Sequence, residues 1–156
     1  MKKVWRKTKM KFDEYDPNVA KDFIKEWEGC ELESYKCSAG VWTIGYGHTV
    51  HVTKGMKISK FEAEKFLEED LQKMFKETKK LVSVDITEGQ FIALMSFVFN
   101  LGATAFRTST LRRCLNRGDY EFAGNEFLRW HFSEGKSVPG LLARRRAERE
   151  LFRGEK

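Results

Sequence analysis

Apolar residues recur at helical spacing in Ala20, Phe23, Ile24 and Trp27. The residues before them supply a start signal, with Asp16 as a natural N-cap and Pro17 suited to the first helical position. Gly29 is placed to end this helix. From residue 34 to 50 the period changes to two, interrupted by Gly40, Gly45 and Gly47, which predicts a small antiparallel meander. Trp42, Ile44 and Tyr46 should share one face. Thr43, Gly45 and Gly47 should leave the other nearly bare. A capping box, Ser59-Lys60-Phe61-Glu62, opens a long helix running to about Leu81, with Phe66, Leu67, Leu71, Met74 and Phe75 on its apolar face. A second capping signal at Thr87–Gln90 starts a helix that is apolar almost all round from Phe91 to Phe99, as a buried central helix would be. Shorter helices are expected over 109–117, 119–131 and 140–153, with breaks at Gly118 and from Gly135 to Pro139.

These elements define an α+β, predominantly helical chain. A small strand-bearing lobe (about 16–58) leads through a linking helix (59–81) to a helical lobe (about 82–156), behind a basic leader (1–15) expected at the surface. At 156 residues this is one domain. The basic leader is not followed by an apolar run and no stretch approaches twenty apolar residues, so neither a signal peptide nor a membrane anchor is expected. The chain is expected to be made in the cytoplasm.

A formal net charge of +6 favours a polyanionic partner without choosing among nucleic acid, membrane and cell wall. Arg144, Arg145 and Arg146, with Arg149 and Arg153, read as a solvated helix face that could rest on an anionic wall. No base-stacking or recognition-helix signature accompanies them, so nucleic acid is not the expected partner. Three cysteines (Cys30, Cys37, Cys114) are too few for a disulfide scaffold, and the three histidines form no metal-ligand motif. No metal or organic cofactor is expected. Cys30 and Cys37 are a candidate disulfide for an oxidising compartment.

Glu28 lies at the edge of the apolar stripe and at a helix C-terminus, where burial and the helix dipole both disfavour a carboxylate. Such a group suits proton donation. Position alone does not make a catalyst. Glu28 together with Gly40-Val41-Trp42-Thr43-Ile44-Gly45-Tyr46-Gly47-His48-Thr49, however, resembles the active-site stretch of the phage-type lysozymes, glycoside hydrolase family 24. The similarity extends through Phe97–Gly102, Phe106–Leu111, Phe127–Trp130 and Pro139–Glu148.

The resemblance implies a lysozyme-like fold and hydrolysis of the β-1,4 bond between N-acetylmuramic acid and N-acetylglucosamine in bacterial peptidoglycan. It implies an inverting course, a monomer, and release to the wall through a holin-type pore. Glu28 would be the general acid and Thr43 would hold the attacking water. Thr49, Phe99, Asn100, Thr110, Arg129 and Trp130 would face the substrate, and His48 would pair with Asp70 to tie the strands to the long helix. Glycosidases commonly use two carboxyl groups. Here the family's usual aspartate is replaced by Cys37, whose thiol would polarise water, as a thiolate if its pKa is depressed. Two rivals remain at this stage: a lytic transglycosylase using one glutamate, and an inactive wall- or nucleic-acid-binding domain.

Overall fold

The computed structural model describes residues 8–154; the start of the expected leader lies outside them. The rest of that leader is not a surface segment. Met10 and Ile86 exchange backbone hydrogen bonds of 2.8 Å. Phe12 and Tyr15 are only 2% and 6% exposed, packed against Phe91, and the Tyr15 hydroxyl donates to the Ile86 carbonyl at 2.7 Å. Basic composition concealed two aromatic core residues.

Asp16 caps as expected, accepting from the Asn18 N–H, but the first turn after it is a 3-10 turn, Pro17–Ala20. Helix α1 (Lys21–Trp27) follows, and it ends on Glu28, whose φ of −94° and ψ of 128° are already extended. Gly29 follows the end without entering the left-handed region, so the chain passes directly into β1 (Glu31–Lys36). Strand β2 (Trp42–Gly45) pairs antiparallel with β1, Tyr35 opposite Thr43 and Lys36 opposite Trp42, with an irregularity before Tyr35. The expected meander continues only as a bridge between Ile44 and His48. Nor is the glycine face bare. A Cβ on Gly45 would sit 3.4 Å from the Ala63 Cβ, so the glycine admits the next helix against the strand.

That helix, α2 (Lys60–Thr78), opens with the full reciprocal capping box of Ser59 and Glu62. Lys21 and Lys25 of α1 both pair with its Glu64, and Lys21 also reaches Glu68 at 2.6 Å. Helix α3 (Glu88–Leu101) starts at a second complete box, Thr87 with Gln90, and is buried from Gly89 to Val98. Around it lie α4 (Ala103–Arg107), α5 (Thr110–Asn116), α6 (Tyr120–Glu126) and α7 (Pro139–Phe152). The sequence pattern did not anticipate α4 or the small hairpin of β3 (Phe132–Ser133) and β4 (Lys136–Ser137). Helices α3 and α7 approach closely: a Cβ on Gly89 would lie 2.6 Å from the Leu151 carbonyl oxygen. That contact admits only glycine.

Candidate active site

Glu28, at the hinge between α1 and β1, lines a cleft of about 450 Å³ with Gly29, Glu31 and Tyr35. Its Oε1 accepts from Arg144 Nη1 at 2.7 Å. Its Oε2 lies 3.7 Å from where a Gly47 Cβ would stand, and Phe99 Cε1 lies 3.9 Å from the same point. Gly47, with φ of +82°, therefore gives the tight turn and leaves room for the acid.

Arg144 corrects the reading of α7 as a solvated basic face. It is 4% exposed, and Arg145 and Glu148 are fully buried. Leu141, Arg144, Arg145, Glu148, Leu151 and Phe152 recur at the spacing of a core-facing helical stripe, a signal in the sequence that the local charge density obscured. Arg144 also donates through Nη2 to the Ser96 carbonyl (3.1 Å) and through Nε to the Ser96 hydroxyl (3.3 Å). Ser96 in turn donates to Glu148 Oε2 at 2.5 Å. Arg145 pairs with Glu148 at 2.7 Å and donates to Asn100 Oδ1 at 2.9 Å. Glu28, Arg144, Glu148 and Arg145 thus form a line of alternating acidic and basic groups. Within it the Arg144 guanidinium fixes Glu28 Oε1, a contact that the sequence reading, built on burial and the helix end, did not include.

Thr43 is buried opposite Tyr35, and its hydroxyl donates to the Val41 carbonyl at 3.0 Å, leaving the oxygen able to accept from water. Cys37 follows β1 in a turn closed by Cys37 N–H to Val41 (3.0 Å) and Gly40 N–H to Cys37 (2.8 Å). The backbone N–H groups of Val41 and then Ala39 hold its thiol below the usual range, and the Thr43 side chain adds to this. Cys37 and Thr43 are neighbours.

The expected Cys30–Cys37 disulfide is not made. All the cysteines are free, and Cys30 lies beside the Tyr46 phenol, which burial pushes up first and Cys30 further. The six residues of β1 stand between the two cysteines. At strand rise this separates their Cα atoms by roughly 20 Å, against an upper limit of about 7 Å for a disulfide. Pairing them requires β1 to come apart.

Among the other expected contacts, only Phe99 is placed beside the acid. Asn100 turns its carbonyl to Arg145, and Trp130 packs edge-on against Phe97 at 5.4 Å. Arg129 bonds Glu126, Thr110 accepts from Arg113 on its own helix, and Thr49 is exposed. The expected structural pair is present: His48 Nδ1 lies 2.9 Å from Asp70 Oδ2, its ring stacked on Phe66 at 4.2 Å. Burial pushes the Asp70 carboxyl up, with His48 pulling against it. Among the described residues no group of side chains is suited to hold a metal ion, and no helix is long and apolar enough to cross a membrane.

An acid at a helix–strand junction, held by an arginine from the far lobe above a strand-walled cleft, is the arrangement of a glycosidase. The profile of the phage lysozyme family matches residues 25–148. The chain is 45% identical over 133 residues to the endolysin of Acyrthosiphon pisum secondary endosymbiont phage 1, covering 83% of this chain and 91% of that protein. Solved structures share the fold, among them the following two. The muramidase domain of SpmX from Asticaccaulis excentricus is 32% identical (TM-score 0.80, covering 86% of this chain and 94% of that one). A variant of P22 lysozyme is 36% identical (TM-score 0.75, with the same 86% and 94% coverage). The chain belongs to the phage lysozyme family, and it is a peptidoglycan-hydrolysing lysozyme of the endolysin type.

Proposed function

We propose that the bond cut is the β-1,4 linkage between N-acetylmuramic acid and N-acetylglucosamine, with Glu28 as the general acid. The observation that carries this reading is the division of labour between the two Glu28 oxygens. Oε1 is fixed by Arg144, which leaves Oε2 to present a proton to the glycosidic oxygen. As the bond to the leaving oxygen breaks, that oxygen takes the Glu28 proton. Water held by Thr43 adds to the anomeric carbon and gives its proton to the Cys37 thiolate. Exchange with solvent restores both groups. Phe99 is the aromatic wall beside the cut bond. The enzyme acts as a monomer and reaches the wall through a holin-type pore.

Digestion of purified peptidoglycan under reducing conditions, with mass spectrometry of the sugar ends, tests the assignment. Wild type should yield reducing N-acetylmuramic acid ends, and Glu28→Gln should lose at least about a thousandfold of this activity, as expected for removal of an essential acid. Anhydro ends would instead identify a transglycosylase, and reducing N-acetylglucosamine ends would move the cut to the other linkage. Full activity in Glu28→Gln would remove the acid from the mechanism.

A further inference from the structure

The cleft that holds Glu28 contains a second carboxylate. Glu31 lines the same cavity, at the start of β1. It is exposed, and among the described residues no ion pair or side-chain hydrogen bond engages it. Tyr35 connects the groups. Its ring is 40% exposed on the cavity wall, and it sits opposite Thr43, so the two side chains share a face of the sheet. Cys37, two residues on, alternates back to that face.

We propose that Glu31 supplies the negative charge that stabilises the oxocarbenium-like transition state, the electrostatic part of the work a second carboxylate does in a glycosidase. This rests on Glu28 being the acid and deepens that assignment. The chemistry at position 37 leaves the vacancy: the half-buried Cys37 thiol, although held below its usual range, starts from a reference far above that of a carboxylate. The surroundings of the Tyr35 phenol agree. Burial raises it first, followed by the charges of Glu28, Glu31 and then Cys37, so the phenol feels the Glu31 carboxylate more strongly than the Cys37 sulfur. No bond forms to Glu31. Cys37 and Thr43 keep the water, and Glu31 faces the positive charge that develops as the glycosidic bond stretches.

The test is a two-by-two comparison of Glu31→Gln in the wild-type and Cys37→Asp backgrounds, using kcat and KM on soluble muropeptide oligomers. Glu31→Gln preserves shape and hydrogen bonding and removes the charge, and an unchanged unfolding midpoint checks the fold. In the wild-type background kcat should fall at least about tenfold, as expected for losing a charge several ångströms from the developing cation, with KM within twofold. Cys37→Asp, by returning a carboxylate to the cleft, should restore the activity lost on Glu31→Gln. The proposal is overturned if Glu31→Gln stays within twofold of wild type, if it raises KM alone, or if its loss is equally large beside Asp at position 37. Glu28→Gln in parallel separates the two assignments: activity retained there removes the acid, whatever Glu31 does.

Discussion

Two charge clusters hold the elements of this enzyme together, and they are alike in composition. Lys21, Lys25, Glu64 and Glu68 join α1 to α2 at the surface. Arg144, Arg145, Glu148 and Glu28 join α7 to the cleft from inside. Their carboxylates move in opposite directions. Hydrogen bonds from Lys25 and then Lys21 hold Glu64 down to about 2, while burial pushes Glu148 up to about 7 against the pull of its arginines. The surface cluster gains from its charges in water that has not been removed. The buried one has paid for desolvation, and is useful for the geometry it imposes on Glu28.

The sharpest way to break this contrast is to remove one partner inside. Arg145→Ala should cost about 3–5 kcal/mol by taking the nearer guanidinium from a fully buried carboxyl group, which keeps only the longer Arg144 contact and the Ser96 hydroxyl. Urea unfolding checks it; a loss below 1 kcal/mol would mean that water reaches the cluster.

The pH dependence comes next. Glu148 in the folded protein keeps its proton after the unfolded chain has released it. Between about pH 4.5 and 7 its contribution therefore makes stability fall as pH rises, by about 3 kcal/mol. Unfolding curves across that window should flatten in Glu148→Gln.

The smallest effect belongs to the surface. Glu64 is depressed, so its contribution is present above about pH 4.5 and lost as pH falls towards 2. Glu64→Gln should cost about 1 kcal/mol at pH 7, a value reduced for solvent screening, and the gap from wild type should close on acidification. A gap that persists at pH 2 would assign the loss to packing.

Legibility in the sequence followed the range of the interactions. The capping boxes at Ser59 and Thr87 are formed by residues three apart, and both appear as expected. The Glu28–Thr43 spacing was readable because one hairpin carries it. Arg144 was not read as part of the site, because its partner lies 116 residues away and only burial distinguishes it from Arg146. The same holds for Phe12 and Tyr15, whose place in the core depends on Phe91. Helix α4 and the β3–β4 hairpin are too short for periodicity to register and are held by their surroundings. The replacement at position 37 was visible in the sequence, but the second carboxylate at Glu31 emerged only once the strands had a register.

The length of the Glu28–Arg144 connection has a consequence for timing. Residue 28 leaves the ribosome long before residue 144 is made, so a growing chain carries its acid without the guanidinium that orients it. The proposed catalytic centre is complete only once α7 has been made. A wall-degrading enzyme built this way is unarmed until α7 has been translated, and an incomplete chain that stops before α7 has an acid with nothing to aim it.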